Sequence, residues 1–244
     1  MNQSYICLKF ITLLGVLAAF YSCNNIPEAI MLANTDRVDT LDYSDYTYVI
    51  DKKNRRGYVT VENEIMEGRY VITRKGAVIE EFTIEGGFLN GERILYYENG
   101  VPESIETYKT SIQHGPVTTF YKSGGIKTET SYTNGEAAIE ETQYDEGGAI
   151  VFKKSEKEGV IYEHNYRDGK RVVSMLKKII DDKEYDLILK YDRFGSVTLI
   201  MGKPVDSESP ILYIFDATFN QIDSFNGQEE PLKAQEYLSV FQSW

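Results

Sequence analysis

Hydrophobic and polar residues alternate along much of the chain, a pattern typical of β-strands. The segment from Ile126 to Tyr132 shows it most clearly, with Ile126, Thr128, Thr130 and Tyr132 on one side and charged or hydroxyl residues between them. A period of two places such a set on one face of a strand. The segment therefore predicts a half-buried strand.

Runs of β-forming residues indicate further strands on either side of this segment. Residues 93–97 and 117–121 are rich in β-formers on both faces, as expected for strands that another element partly covers. Additional strands are expected at residues 177–180, 186–191 and 196–201, with a last hairpin from 211–215 and 219–225.

Glycines recur at intervals of 22 to 26 residues, a period that indicates a repeat architecture. One series comprises Gly76, Gly100, Gly124, Gly147, Gly169 and Gly195, and an interleaved series comprises Gly91, Gly115, Gly135 and Gly159. Asn or Asp precedes several of them, as in Asn99-Gly100 and Asn134-Gly135, and such dipeptides favour hairpin turns because both residues accept positive φ. We therefore expect two turns in each repeat and antiparallel neighbouring strands.

The C-terminal residues predict a helix. Pro231 suits the first helical position, and Leu232, Leu238, Phe241 and Trp244 fall on about one face. A helix here would cap the open end of the sheet, where an uncovered strand would invite edge pairing. The expected fold class is thus mainly β, an extended antiparallel meander of hairpin repeats with a short C-terminal helix.

The N-terminal residues have the features of a signal peptide. One Lys precedes an apolar run from Phe10 to Tyr21, which is too short for a permanent membrane span. Ser22-Cys23 then resembles a lipobox, in the relaxed form typical of Bacteroidetes lipoproteins. Cleavage before Cys23 would leave a single thiol, which can form no internal disulfide, so we expect lipid on Cys23. The alternative is an ordinary secretory signal with an incidental cysteine.

The residues after Cys23 bear on the location of the protein. Asn24 stands where an inner-membrane retention signal would have Asp, and Asn25–Ala29 lacks the acidic run of surface-exported lipoproteins. By resemblance, we expect an outer-membrane lipoprotein that faces the periplasm. The expected organisation is a signal peptide (1–22), a lipidated tether (23–45), a β-repeat region (46–175), a C-terminal β extension (176–227) and a capping helix (228–244).

Two ten-residue segments resemble the bacterial variant of the MORN repeat. Residues 91–100 and 115–124 each contain a glycine, an aromatic pair and a closing glycine, preceded by Asn in the first. The resemblance extends over about residues 68–170, although Gln143 and Asn165 replace the first aromatic residue in later units. It implies an extended antiparallel sheet used as a scaffold or binding surface, with no catalytic residues. Some bacterial members of the family are labelled antitoxin components.

Four tyrosines accompany the first glycine series. Tyr97, Tyr121, Tyr144 and Tyr166 each lie three residues before a glycine. In a regular meander they would stack as a ladder across the strands. The ladder would either stabilise a single-layer sheet or form an exposed aromatic stripe that binds a peptide, a glycan or a protein. We expect packing to be its main role.

The sequence offers little catalytic chemistry. His114 and His164 lie outside the spacings of zinc sites, and phosphate loops, nucleophile elbows and dinucleotide motifs are missing. Adjacent acids such as Glu80-Glu81 and Glu140-Glu141 would point to opposite faces of a strand, and Asp181-Asp182 is expected in a solvated hairpin turn. We therefore expect no enzyme, no metal site and no cofactor.

Net charge narrows the choice of partner. A formal charge of −12 repels phosphate backbones, which argues against nucleic acid. The leading hypothesis is a non-catalytic envelope lipoprotein whose sheet binds or organises another envelope protein. The alternatives are an antitoxin or immunity protein that binds a basic toxin, and a glycan-binding accessory protein.

Overall fold

The computed structural model of the chain describes residues 38–242, with side chains described as far as residue 240. The expected signal peptide, Cys23, the tether up to residue 37 and Trp244 lie outside the described residues.

The described residues form a β-protein with one C-terminal helix. In chain order the elements are β1 (Val38–Asp42), β2 (Tyr46–Ile50), β3 (Arg56–Thr60), β4 (Gly68–Arg74), β5 (Ala77–Glu85), β6 (Phe88–Tyr96), β7 (Pro102–Lys109), β8 (Ile112–Phe120), β9 (Ile126–Thr133), β10 (Glu136–Tyr144), β11 (Ile150–Lys157), β12 (Val160–Arg167), β13 (Lys170–Ile180), β14 (Lys183–Tyr191), β15 (Val197–Pro204), β16 (Ile211–Phe215), β17 (Gln221–Asn226) and α1 (Pro231–Gln242).

Strands β4 to β17 form a meander in which each strand pairs antiparallel with the next in sequence. This confirms the predicted fold class. Strand β1 adds in parallel to β4, with Val38 opposite Arg69. Residues 38–42 therefore belong to the sheet and not to the tether, because alternation in Val-Asp-Thr-Leu-Asp suits an edge strand.

Directly opposed residues share a face, so the register assigns each side chain to one of two faces. Face 1 contains one unbroken row from β4 to β17: Tyr70, Phe82, Arg93, Glu106, Val117, Thr130, Glu141, Lys154, Glu163, Met175, Ile188, Met201, Ile214 and Asp223. Face 2 contains the adjacent row, which includes Glu81, Ile94, His164, Leu189 and Ile200.

Separate hydrophobic clusters stabilise the two ends of the sheet. At the first end, the β2–β3 hairpin covers face 1, where Tyr58 packs with Tyr70, Ile72, Phe82 and Ile84. At the other end a larger cluster on face 2 includes Leu187, Ile200 and Phe215, all almost fully buried. The repeat strands between these ends are mostly half-buried.

Helix α1 packs on face 1 at the C-terminal end. Ala234 and Tyr237 contact the cluster of Leu199, Met201, Ile214 and Phe225. The predicted helix is thus confirmed, but the two described side chains of its predicted apolar face are exposed. Leu232 and Leu238 are 82% and 45% exposed, because the Tyr237 ring stacks on Phe225 at 5.4 Å and orients the helix by that contact.

The turns are of two kinds. Two-residue turns with positive φ at both positions connect many of the hairpins: Lys75–Gly76, Gly86–Gly87, Thr110–Ser111, Asn134–Gly135, Glu158–Gly159, Asp168–Gly169 and Asp181–Asp182. Longer turns place a positive-φ glycine at Gly100, Gly124, Gly148 and Gly195. Gly147 was expected in this role, but Gly148 fills it because the turn begins at Asp145, whose carbonyl accepts the N–H of Gly148.

Gly91 and Gly115 were also expected in turns, and they lie instead inside β6 and β8. Each is the middle residue of a bulge in which three residues oppose one, with Gly91 opposite Thr83 and Gly115 opposite Thr107. A third bulge opposes residues 138–140 to Ser131. The φ values of Gly91 and Gly115, 92° and 117°, explain the preference for glycine at the first two bulges.

Candidate binding surface of the repeat sheet

Successive repeats are joined at their turns by a tyrosine ladder, which we define as Tyr97 and Tyr121. The Tyr97 hydroxyl donates a hydrogen bond to the carbonyl oxygen of Phe120 at 2.8 Å, and the Tyr121 hydroxyl donates to that of Tyr144 at 2.6 Å. Asn99 Nδ2 adds a bond to the carbonyl oxygen of Lys122 at 2.9 Å. Each turn is therefore fastened to the backbone of the turn that follows one repeat later.

Tyr144 and Tyr166 are not equivalent to the ladder residues. The position that corresponds to Tyr121 is Asp145, because Asp145 N bonds to the carbonyl oxygen of Ala149 as Tyr121 N bonds to that of Gly125. Tyr144 corresponds to Phe120 and donates its hydroxyl to Glu129 at 2.5 Å. Tyr166 precedes a two-residue turn, and its ring lies edge-on to His164 at 6.5 Å. The four tyrosines therefore do not form one continuous series.

Aspartates replace tyrosine where the ladder stops. Asp145, Asp192 and Asp216 each begin a turn of the same hydrogen-bonded form, and their carboxylates accept backbone N–H groups within that turn. Hydrogen bonds from the side chains of Asn220 and Thr218 lower the pKa of Asp216 to about 2. These turns are fastened internally, whereas the tyrosine turns are fastened to the next repeat.

A network of charged residues lies on face 1 beside the β2–β3 hairpin. Arg93 Nε is 2.6 Å from Glu80 Oε1, and Arg93 also pairs with Glu106 at 3.4 Å. Glu80 is 5% exposed and accepts a hydrogen bond from the Tyr46 hydroxyl at 3.3 Å. Burial and a hydrogen bond to Glu106 raise the pKa of Tyr108 to about 12, so it stays a donor. The network positions the hairpin on the sheet.

The consecutive acids Glu80 and Glu81 lie on opposite faces of β5, as predicted for a strand. Glu81 pairs with Arg69 at 2.8 Å on face 2 and accepts the Tyr96 hydroxyl at 2.8 Å. They form no catalytic pair because their carboxylates are on different sides of the sheet. Asp181 and Asp182 have positive φ and form the β13–β14 turn, as predicted.

The two histidines take part in structural contacts. Asn134 N donates to His114 Nδ1 at 3.3 Å. His114 is the first residue of the β8 bulge, so this bond connects the bulge to the Asn134–Gly135 turn one repeat later. His164 is buried on face 2, with its Nδ1 2.6 Å from Ser174 Oγ and its ring stacked on Tyr162. Burial, with the charges of Arg171 and Lys153, lowers the pKa of His164. Ser174 is itself fully buried, so this pair is closed to a substrate.

An open groove on face 1 has a volume of about 710 Å³. Strands β11 to β16 contribute to it, and its floor follows the face 1 row at Met175, Ile188 and Met201. Met175 is 39% exposed, and Ile161 beside it is 41% exposed. The groove ends at Leu212, which also packs on the cluster beneath helix α1.

Charged residues of both signs accompany the apolar floor. Lys177 pairs with Asp186 at 3.7 Å across β13 and β14, and Asp186 lies opposite Lys203 on β15. At the outer end Lys154 pairs with Glu163 at 3.2 Å. These pairs are about one third to three fifths exposed, so they remain accessible to a ligand. The groove thus combines an apolar strip with an alternating charged strip, which suits an amphipathic polypeptide.

Among residues 38–242, His, Cys, Asp and Glu side chains form no group of three or more arranged to hold a metal ion. The described residues also contain no helix that is long and apolar enough to cross a membrane.

Two segments of the chain are similar to a known repeat family. Residues 89–110 and 113–134 match the MORN repeat variant. Each matched segment starts at the second residue of a bulged strand and contains one long turn, with Gly100 in the first segment and Gly124 in the second. The bond from Tyr97 to Phe120 joins these two segments directly. No curated protein matches the chain. MORN repeats suggest a protein-binding or scaffolding role.

Sequence reasoning did not identify the groove. Its floor residues come from β13 to β15, after the interleaved glycine series has ended at Gly159, and Met175, Ile188 and Met201 carry no motif. One signal in the sequence does point to the groove, namely alternation in Met175-Leu176-Lys177 and Asp186-Leu187-Ile188. This alternation places Leu176 and Leu187 on face 2, in the buried cluster, and their neighbours in sequence on face 1, where the groove lies.

Proposed function

We propose that this protein is a non-catalytic envelope lipoprotein, anchored through Cys23, whose MORN-type sheet binds another envelope protein in the face 1 groove. The observation that carries this proposal is the apolar floor of Met175, Ile188 and Met201 beside exposed ion pairs. Apolar area supplies the free energy of protein association, and charges at its border select the partner and its orientation.

The tyrosine ladder has a supporting role in this proposal. Tyr97 and Tyr121 are half-buried, and their hydroxyls are already bound to backbone carbonyls of the next turn. A partner that used these rings would compete with the bonds that join the repeats. We therefore assign the ladder to the rigidity of the sheet and the groove to recognition.

The anchor is proposed from the sequence alone. The apolar run before Ser22-Cys23 and the single thiol that cleavage would leave both favour lipidation of Cys23. Two or more acyl chains would provide stable membrane attachment, and the residues after Cys23 favour the periplasmic side of the outer membrane. Metabolic labelling with a palmitate analogue should mark the wild-type chain and not Cys23→Ala; equal labelling of both would contradict the anchor.

Site-specific photo-crosslinking in intact cells tests the groove. A photo-reactive amino acid at Met175 should give a discrete adduct with another protein, because this side chain lies in the floor and is 39% exposed. The matched control is Ile126, which is 38% exposed and lies outside the groove lining. Adducts of equal yield at both positions, or none at Met175, would count against the groove as the binding surface.

A further inference from the structure

Within residues 38–242, strand β2 has one paired edge and one free edge. It pairs with β3 from Tyr46 opposite Thr60 to Ile50 opposite Arg56, and no other strand in that range has a pairing register with it. Its five residues, Tyr-Thr-Tyr-Val-Ile, carry no charge. Tyr48, Val49 and Ile50 are 52%, 49% and 54% exposed. An uncharged and exposed edge strand readily adds a further strand.

The backbone of this free edge is oriented for strand pairing. The carbonyl oxygen of Asp45 accepts Val61 N, and Asp51 N donates to the carbonyl oxygen of Arg55, so both flanking residues bond towards the β3 side. In an antiparallel pair, successive residues of a strand direct their backbone groups alternately towards the partner strand and away from it. Tyr46, Tyr48 and Ile50 therefore direct their N–H and C=O groups away from β3. Each of these three residues can therefore accept and donate one bond at the free edge.

The outer strands of the sheet are protected in ways that β2 is not. Strand β1 carries Asp39 and Asp42, and charges of this kind discourage strand addition. At the other end, helix α1 contacts β17, with Lys233 Nζ 2.7 Å from Asp223. Strand β2 has neither a charge nor a covering helix, although its exposed residues are β-branched or aromatic.

We propose that β2 pairs antiparallel with β2 of a second copy of this chain, about a two-fold axis at Tyr48. In this register Tyr46 lies opposite Ile50 of the second copy, and Thr47 lies opposite Val49. Aromatic and β-branched residues are thus matched across the strands, and both copies satisfy their outward backbone groups. The inference is independent of the proposed groove.

The flanking acids limit the pairing to these five residues. The register brings Asp45 opposite Asp51 of the second copy, and like charges in that position are destabilising. Asp51 is already compensated by Arg55, whose guanidinium is 2.6 Å from its carboxylate. Because only Tyr46, Tyr48 and Ile50 direct their backbone groups outward, the next permitted registers centre on Thr47 or Val49. Each of these pairs one of the three outward-facing residues with a residue outside β2, so the register centred on Tyr48 is favoured. A five-residue pair is small, and we expect a concentration-dependent dimer.

Cysteine cross-linking of the full-length chain tests the register. Thr47 and Val49 of the second copy would form a pair without backbone hydrogen bonds, with Cα atoms about 4.5 Å apart, which a disulfide can bridge. A mixture of Thr47→Cys and Val49→Cys chains should give a disulfide-linked dimer under mild oxidation. Each variant alone should give little, because residues 47 and 47, or 49 and 49, are not opposed. The wild-type chain controls for Cys7 and Cys23, and Ile222→Cys, 63% exposed on β17, controls for random collision.

The pattern of cross-links decides the outcome. Dimer that is at least severalfold more abundant in the mixture than in either single variant supports the proposal. Equal yields in the mixture, the single variants and Ile222→Cys would indicate collision and overturn it. No dimer in the mixture, with circular dichroism unchanged from wild type, would also overturn it and would indicate that a different strand or residues 24–37 cover this edge.

Discussion

The hydroxyl of Tyr97 donates a hydrogen bond to the carbonyl oxygen of Phe120 at 2.8 Å, and this bond spans 23 residues of sequence. Tyr121 repeats it with Tyr144. Adjacent strands of the sheet are already paired through their backbones, so the tyrosine bonds add a second connection at the turns. Loss of one hydroxyl should weaken this connection without removing the packing of the ring.

Tyr121→Phe should therefore lower the free energy of unfolding by about 0.5–1.5 kcal/mol, the usual net value of one hydrogen bond. Urea denaturation followed by circular dichroism measures the change. Tyr132→Phe is the matched control, since Tyr132 is half-buried on β9 and its hydroxyl has no hydrogen bond among the described residues. Equal effects of the two substitutions would show that the ladder bond contributes nothing specific.

The adjacent glycines Gly124 and Gly125 should differ in their tolerance of a side chain. Gly124 has φ of 91°, so Gly124→Ala should destabilise by about 1–2 kcal/mol through backbone strain. Gly125 lacks a positive φ, and a Cβ there would meet its nearest neighbour, the carbonyl oxygen of Glu146, at 3.7 Å. Gly125→Ala should be neutral or slightly stabilising. Equal thermal unfolding midpoints for both variants would contradict this assignment of the turn.

Glu80→Gln tests the buried charge network. The substitution leaves Arg93 with Glu106 as its remaining acidic partner, at 3.4 Å, and should cost about 2–4 kcal/mol because a largely buried guanidinium loses its closest counter-charge. Asp186→Asn breaks the exposed pair with Lys177 and should cost less than about 1 kcal/mol. Chemical denaturation measures both changes. If the two substitutions lowered the free energy of unfolding by similar amounts, the claim that the network holds the hairpin on the sheet would be contradicted.

His164 should make stability depend on pH. Its pKa is lower in the folded chain, so the unfolded chain takes up a proton first as the pH falls. Its contribution should therefore be complete above the ordinary pKa of 6.5 and should be lost as the pH falls from there through the lower folded pKa. Urea unfolding between pH 7.5 and 5 should show a steeper loss for the wild type than for His164→Gln. Parallel curves for wild type and His164→Gln would contradict the assignment.

The sequence contained enough information to predict the meander but not its register. Alternation and glycine spacing are local signals, and they correctly predicted antiparallel hairpins and the C-terminal helix. Bulges are not visible in such signals, so Gly91 and Gly115 were expected in turns although Gly86–Gly87 and Thr110–Ser111 form them.

The interval between Tyr97 and Tyr121 held more information than the glycine series alone. A further interval of 24 residues after Tyr121 leads to Asp145, and the longer turn of that repeat does begin there. Tyr144, one residue earlier, occupies the position that Phe120 has in the preceding repeat. The groove was beyond sequence reasoning for a different reason: its floor joins residues of three strands whose side chains become neighbours only once the register is fixed.

The most direct test of the account is the affinity of the groove for its partner. Once a partner has been captured at Met175, its binding to wild type, Met175→Asp and Ile126→Asp should be compared in solution. A buried carboxylate in an apolar floor is costly, so Met175→Asp should weaken binding at least tenfold while Ile126→Asp binds as the wild type does. All three proteins should unfold at similar urea concentrations, because both side chains are more than one third exposed. Unchanged affinity of a folded Met175→Asp would contradict the claim that this groove is the binding surface.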